Sequence, residues 1–354
     1  MNQTTAPMAE QESGYITKLA RKHLSRIGFI YLVGTVLLLA LELSLVMLFQ
    51  FGNPDGDYDS SVLIFFNLFL RFILGYPVML CLIHLVKKGK PIPRKKMKVG
   101  SVFAAFFMAY AMAMITNIIG LLLTSIINAF HSGVNTTSLQ DTMLALPSVW
   151  LILFVCVGAP VFEELIFRKA LVDRAIYCGE GIAIAVSGVM FGLFHGNLNQ
   201  FVYAAALGAF LAFIYVRTGK IRYTMILHAM VNSIATIGTL LLKMLSEGST
   251  GYLEGTQALT LMSSMDLYGL LRDPLSSAMY LGGALGLCIW LLAIAAFVIT
   301  GIILWIMKGK KLFLLPSRDL TVPKGKRFST AFLNSGMICF CIVWILLMGS
   351  SLFG

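Results

Sequence analysis

Long apolar runs separated by short polar segments are the feature that most constrains how this chain folds. A helix needs about 20 residues to cross the hydrocarbon core of a bilayer. Runs close to or above that length lie near 27–51, 61–86, 100–129, 148–167, 181–195, 200–216, 223–245, 277–307 and 331–352. The 354 residues are 58% hydrophobic and only 12% charged, which excludes a soluble domain. The sequence predicts an all-α, polytopic transmembrane bundle of about eight or nine helices.

Basic residues occupy alternate connections between these runs. One set of connections, 18–26, 87–98, 168–174, 217–222 and 308–327, holds 24 of the 27 Lys and Arg residues. The opposite set, 52–60, 130–147, 196–199 and 246–276, holds only Arg272. Because cytoplasmic loops are enriched in Lys and Arg, we expect a cytoplasmic amino terminus and an external carboxyl terminus. The net charge of +11 then reflects membrane orientation and not nucleic-acid binding.

The opening residues and the cysteines set further expectations. The polar opening residues lack the basic and apolar pattern of a cleavable secretory signal, so the first span is expected to act as its own insertion signal. The six cysteines lie in or beside apolar runs without the spacing of a zinc site or a disulfide framework, and we expect ordinary core residues.

Three charged residues lie within apolar runs away from any motif. Glu42 and Arg71 lie at similar depths in the first two spans, so we expect an ion pair that joins these helices. A transport pathway is the alternative, because ionisable residues within a membrane are expensive and often functional. Lys243 lies close to the end of its span, and we expect its amine to reach the membrane interface.

The stretch VFEELIFRKA places two carboxylates and an arginine beside an apolar run. Residues four apart share one face of a helix, so Glu164 pairs with Arg168 and leaves Glu163 pointing elsewhere. Pro160 lacks an N–H and favours a fresh helix start just before the glutamates. The plainer interpretation is the mixed charge that is common at the cytoplasmic end of a span.

Two of the five histidines have an asparagine four residues later. His195 precedes Asn199 in FGLFHGNLNQF, and His228 precedes Asn232 in LHAMVNS. A helix brings such a pair to one face. A buried histidine that only makes a structural hydrogen bond is the plainer alternative, although two such pairs and a free carboxylate favour chemistry. The other histidines lie in flanking segments and are expected to have no chemical role: His23, His84 and His131.

The combination EELIFR, FGLFH and HAMVN resembles the signature of the CAAX-protease and bacteriocin-processing (CPBP) family, also called the type II CAAX prenyl endopeptidase-like or abortive-infection family. These are intramembrane proteases. The family pattern has a glutamate pair with an arginine four residues later, an aromatic four residues before a histidine, and a histidine four residues before an asparagine. The chain matches all three in order and spacing, with Phe191 ahead of His195, over roughly residues 145–240.

The resemblance implies roles for seven residues. It implies that Glu163 and His195 hold and activate a water, and that His228 and Asn232 stabilise the oxyanion. It also implies that Glu164 and Arg168 shape the site and that Asn199 lines it. The chain then divides into a polar cytoplasmic segment, accessory helices, a catalytic core, and a loop with further accessory helices: 1–26, 27–145, 146–245 and 246–354.

A metal ion and the depth of the site are left open by the residues. Glu163, His195 and His228 form a set that zinc accepts, but HExxH is absent and the three ligands come from separate helices. A metal-free site is therefore favoured, with zinc as the alternative. Residues 181–195 give only about 22 Å of helix, less than the hydrocarbon core. We expect a water-filled cavity that opens to the cytoplasm, with His195 midway down.

Three functions compete at this stage. The first is an intramembrane endopeptidase in a bacterial plasma membrane that cleaves a membrane-associated peptide, such as a bacteriocin or pheromone precursor. The second is a transporter or channel with a relay of ionisable residues, which the absence of an inverted repeat weakens. The third is a non-catalytic scaffold or bacteriocin-immunity factor of the same fold. Nucleic acid is not an expected partner, and the oligomeric state is open.

The charge distribution predicts the sidedness of both termini. An alkaline phosphatase fused after residue 354 should be active, because that enzyme folds only outside the cytoplasm, whereas a green fluorescent protein at the same place should be dark. The same reporters at the amino terminus should give the opposite pattern. Fluorescence from the carboxyl-terminal fusion would contradict the predicted orientation.

Overall fold

The computed structural model describes residues 5–53, 60–130, 143–248, 274–315, 317 and 319–353, and the chain in these ranges is almost wholly helical. Arg272 and His131 lie outside the described residues, as does most of the 246–276 connection. Helices α1 to α3 are Thr5–Gly52, Ser60–Ile83 and Val99–Phe130. Helix α4 runs from Ser148 to Ala175 and ends in a 3₁₀ turn, Ile176–Cys178. The remaining helices, α5 to α10, are Glu180–Leu193, Leu198–Thr218, Ile221–Gly248, Pro274–Lys308, Arg327–Phe332 and Ser335–Phe353.

Within these described ranges, eight helices are long and apolar enough to cross a membrane: α1, α2, α3, α4, α6, α7, α8 and α10. The prediction of an all-α transmembrane bundle is confirmed. The 14 residues of α5 span only about 21 Å, so this helix is too short to cross the hydrocarbon core. It packs along α6, where Gly188 and Gly192 of α5 lie against Ala205 and Ala209. Small residues at these positions let the two backbones approach closely.

Helix α4 extends beyond its predicted end. The prediction of a span that stops at 167, followed by a connection over 168–174, is wrong, because the helix continues to Ala175. The two buried arginines of that segment have protein partners. Arg168 pairs with Glu164, and Arg174 donates to the carbonyls of Val86 and Ala170 at 3.0 and 2.9 Å. The site carboxylates therefore lie in the middle of a long helix and not at its end.

Two π-helical segments, Ile152–Gly158 and Leu165–Ala170, interrupt α4 on either side of the glutamates. In a π-turn the N–H of a residue bonds to the carbonyl five positions earlier. Pro160 has no N–H, so it cannot bond to Val155 in this way. The Nδ2 of Asn232 on α7 donates to the Val155 carbonyl at 2.9 Å instead. Pro160 therefore loosens α4 without ending it, and a neighbouring helix satisfies the backbone that it frees.

Charged residues elsewhere in the membrane have protein partners. The guanidinium of Arg71 donates to Glu42 from Nε at 2.9 Å and also from a terminal nitrogen. The predicted ion pair between the first two spans is confirmed. The amine of Lys243 donates to the carbonyl of Leu146, so its cost of burial is offset by a backbone acceptor at that point.

Helices α1 and α10 join the two ends of the chain. The N–H of Gly336 donates to the Ser25 hydroxyl at 3.0 Å, and a Cβ on Gly336 would collide with the Ser25 carbonyl oxygen. A Cβ on Gly28 would collide with the Gly336 backbone in turn. Each helix therefore depends on a glycine at the crossing.

Replacing Gly336 with alanine should destabilise the protein, because the helices have to separate to admit one methyl group. We expect a loss of about 1–3 kcal/mol, measured as a lower midpoint of unfolding in detergent. Gly349→Ala is the matched control on the same helix, since a Cβ there meets nothing within 4 Å. Equal effects of the two substitutions would contradict the crossing.

Candidate active site

The turn at Gly179 sets the depth of two candidate residues. Gly179 has a φ of 108°, a conformation that favours glycine, and it reverses the chain between α4 and α5. Glu163 and His195 each lie sixteen positions from it. The two segments are held in register where the Ser187 hydroxyl donates to the Phe167 carbonyl at 2.8 Å. The hairpin brings Glu163 within electrostatic range of His195.

Glu164 is the buried member of the glutamate pair. Its side chain and that of Arg168 are both fully buried, and Arg168 Nε lies 3.1 Å from Glu164 Oε2. His228 Nδ1 lies 3.0 Å from the other oxygen, Oε1. An ionised carboxylate accepts only, so Nδ1 of His228 carries the hydrogen. Glu164 is thus neutralised and orients His228, and the expected ion pair within α4 is present.

Glu163 is the accessible carboxylate. Its side chain is 14% exposed, and its Oε2 lies 3.9 Å from Nε2 of His228. That distance is too long for a direct hydrogen bond. His195 also lies within electrostatic range of Glu163. His228 therefore contacts Glu164 directly through Nδ1, and its Nε2 faces Glu163 across a gap.

Phe191 fixes the relative placement of the basic groups. Its ring centre lies 4.9 Å from that of His195 and 5.8 Å from that of His228, with both pairs edge to face. The guanidinium of Arg168 lies over the same ring at 4.3 Å. Nδ1 of His195 lies 2.8 Å from the carbonyl of Phe191. A carbonyl only accepts, so the hydrogen is on Nδ1, and Nε2 of neutral His195 has a free lone pair.

The two asparagines have partners on other helices. Asn232 binds the Val155 carbonyl and so connects α7 to the π-helical part of α4. The Oδ1 of Asn199 accepts from the Thr124 hydroxyl of α3 at 2.5 Å. The structure therefore gathers the arginine and both histidines around Phe191, with the glutamates beside His228, and it places each asparagine against a neighbouring helix.

Aromatic residues that the sequence patterns did not single out surround this cluster. Tyr31 of α1 donates to the Ile166 carbonyl at 2.7 Å, between Glu164 and Arg168 in sequence. Tyr203 lies within electrostatic range of Glu163. Its position four residues after Asn199 is the one signal that could have indicated it. Tyr31 is 135 residues from its partner, and no local spacing relates the two.

The residues do not fit a metal centre. In the described parts of the chain, no three His, Cys, Asp or Glu side chains gather closely enough to hold a metal ion. Glu163, His195 and His228 have the right chemistry for zinc, since it accepts two histidines and a carboxylate in metalloproteases. Their spacing, however, does not bring the three donors around one point.

Comparison with known proteins places the cluster in a family. Residues 145–234 match the model of the type II CAAX prenyl endopeptidase Rce1-like family, and all three motifs lie in that range. These residues belong to the Rce1-like CAAX protease family. No solved structure matches the chain significantly.

Two curated bacterial relatives match over more than half of the chain. YdiL of Bacillus subtilis, provisionally named a membrane peptidase, is 27% identical over 220 residues, which cover 59% of this chain and 87% of the relative. MroQ of Staphylococcus aureus, named a membrane-embedded CAAX protease, is 23% identical over 209 residues, which cover 57% and 84%. With eight apolar helices, the chain is a multi-pass bacterial membrane protein related to membrane peptidases.

Removing the arginine of the cluster should destabilise the fold. Arg168→Met leaves Glu164 as an uncompensated buried charge, and we expect a loss of about 3–5 kcal/mol in detergent unfolding. Lys169→Met is the control at the next position. Lys169 is 47% exposed and pairs with Asp173 at 2.8 Å, and an exposed pair contributes about 1 kcal/mol or less. An Arg168→Met protein as stable as Lys169→Met would show that Glu164 is not held as an ion.

Proposed function

We propose that this chain is an intramembrane endopeptidase that hydrolyses a peptide bond in a membrane-associated peptide or protein. The observation that carries the proposal is the unequal treatment of the two glutamates. Glu164 is fully buried and bound by Arg168 and His228, whereas Glu163 stays accessible and faces His228 across a gap of 3.9 Å. Membership of residues 145–234 in the Rce1-like family supports the same reaction class.

In the proposed reaction, Glu163 and His195 hold the attacking water. Nε2 of His195 accepts one hydrogen of the water and orients it, while Glu163 removes the other hydrogen as general base. The water oxygen bonds to the carbonyl carbon of the substrate. Glu163 then returns its proton to the departing nitrogen as the C–N bond breaks. The products are a carboxylic acid, which retains the second hydrogen of the water, and an amine. The acid then ionises by giving this proton to the amine or to solvent, and the enzyme is regenerated.

His228 and Asn232 are the proposed donors to the oxyanion. With Nδ1 bound to Glu164, His228 donates from Nε2 when its ring carries both hydrogens. Asn232 uses one N–H on Val155 and retains a second. A donor fixed in advance where negative charge develops is worth about 3–4 kcal/mol. Arg168 and Glu164 hold this arrangement, and Asn199 lines its α3 side.

We propose that the reaction proceeds without a metal ion, because the donor groups do not converge on one point. Cleavage should then persist in the presence of phenanthroline, with a known zinc peptidase as the positive control. The proposed substrate is a membrane-associated peptide precursor of a bacterium, such as a bacteriocin or pheromone precursor. The site lies within the bilayer-spanning part of α4, where a substrate held in the membrane reaches it.

The proposed base gives a direct test. Glu163→Gln keeps the size of the side chain but cannot take up a proton, so substrate cleavage should fall by about 10²–10⁴-fold. The measurement compares membrane peptides, by mass spectrometry of new chain ends, between cells that produce the wild type and cells that produce the variant. Peptide ends that require Glu163 define the substrate and the cleavage site.

Asp173→Asn is the matched control, because Asp173 lies on the same helix and contacts Lys169 and Tyr215 and none of the site residues. Its peptide ends should match those of the wild type. An immunoblot checks that the three proteins are equally abundant in the membrane. If Glu163→Gln retains every peptide end and every cellular effect of the wild type, the chain is a non-catalytic scaffold or immunity factor instead.

A further inference from the structure

Helix α2 lies outside the family-matched residues, but one of its faces packs against the site. A π-helical segment, Arg71–Gly75, interrupts this helix, and the N–H of Tyr76 bonds to the carbonyl of Arg71 five positions earlier. In an α-helix, residues five apart point in different directions, whereas a π-turn brings them to the same side. The interruption therefore places Arg71 and Tyr76 side by side. Such interruptions are frequent at functional sites.

This face packs against the immediate neighbours of the proposed base and water ligand. The ring of Tyr76, which is 2% exposed, lies 6.0 Å from Phe162 and 6.2 Å from Phe194. Phe162 and Phe194 directly precede Glu163 and His195 in sequence. One side chain of α2 thus contacts both arms of the α4–α5 hairpin at the level of the site.

A second aromatic contact fixes the same face. Phe72 lies 5.5 Å from Phe162 and stacks on Phe154 at 5.6 Å with an angle of 10° between the rings. Its ring also lies against Gly158, where an added Cβ would be 3.2 Å from it. The π-helical part of α2 is therefore packed on the π-helical part of α4 that precedes the glutamates.

Arg71 brings a charge to this place. Its guanidinium is bound to Glu42 of α1, yet it also lies within electrostatic range of Glu163 and His195. Tyr76 is likewise within electrostatic range of both Arg71 and Glu163. The side chain of Arg71 is 33% exposed and that of Glu42 is 20% exposed, so the protein buries most of the pair.

We propose that Arg71 and Tyr76 are positioning residues of the peptidase site, which act through Glu163 and His195. Tyr76 holds the two arms of the hairpin at their working separation. Arg71, anchored by Glu42, keeps the Tyr76 hydroxyl in place and contributes a fixed positive charge where negative charge develops during attack. The inference rests on the proposed function, and it makes α1 and α2 part of the enzyme and not a membrane anchor.

The first test separates this role from a simple joint between helices. Replacement of a buried ion pair by apolar residues is often neutral for stability. If the pair only connects α1 to α2, the double variant Glu42→Met with Arg71→Met should therefore keep both stability and cleavage. The charge exchange, Glu42→Arg with Arg71→Glu, should also preserve an ion pair between α1 and α2. Under our proposal both double variants accumulate in the membrane but lose cleavage of the Glu163-dependent peptide ends roughly tenfold or more.

Lys243→Met is the control, because Lys243 is another cation within a span but donates to Leu146 away from the site. It should cleave as the wild type does. Abundance and the midpoint of unfolding are measured for each protein. Wild-type cleavage by both double variants would overturn the inference.

Tyr76→Phe keeps the test decisive if the double variants fail to accumulate. This change preserves the ring that packs on Phe162 and Phe194 and removes only the hydroxyl. We expect a loss of cleavage of roughly threefold to tenfold at unchanged stability, and full activity would overturn the inference. Glu163→Gln is measured in parallel: if it is inactive while Tyr76→Phe is fully active, only the role of α2 fails, whereas an active Glu163→Gln protein removes the proposed function itself.

Discussion

The structure depends on keeping an ionised carboxylate in the middle of a membrane protein. Removal of Glu164 from water costs several kcal/mol, and the cost is offset only if partners from the protein replace the solvent. Arg168 supplies the opposite charge from the same helix, and His228 supplies a hydrogen bond from α7. These partners neutralise one glutamate and leave the other exposed to a gap. The division of roles between adjacent carboxylates follows from that single requirement.

Departures from regular α-helix occur next to the glutamates. The π-helical segments of α4 flank the glutamates, and a third segment in α2 faces them. Each frees or shifts backbone groups that lipid cannot satisfy. Asn232 and Tyr31 supply donors to the carbonyls of Val155 and Ile166, from α7 and α1. The side chains that stabilise the irregular backbone thus come from the helices that enclose the site, so these segments depend on tertiary packing.

At the site, the family-matched segment packs against the accessory helices. Residues 145–234 carry all three motifs, but their aromatic neighbours come from both ends of the chain. Trp344 of α10 packs 4.9 Å from Phe194 and lies against Gly196, next to His195. Tyr76 of α2 packs on the same Phe194. The loop that carries His195 is therefore held between helices that the motif search does not cover.

The sequence alone determined the fold class, because no arrangement other than membrane-spanning helices accommodates so many apolar runs. It also determined two ion pairs. Glu164 and Arg168 are related by helix periodicity, and Glu42 and Arg71 by matched depth in adjacent spans. The three motifs named the residues of the proposed site, since their spacing is local.

Tertiary structure alone decided where α4 ends, because the burial of Arg168 and Arg174 depends on partners such as Val86 that are distant in sequence. It also decided how the motifs meet. Phe191 sits among Arg168, His195 and His228 only after three helices pack, and the roles of Tyr31, Tyr76 and Tyr203 arise from contacts across helices. Periodicity relates residues within one helix, whereas the rotation and depth of one helix against another are set by side-chain packing over the whole bundle.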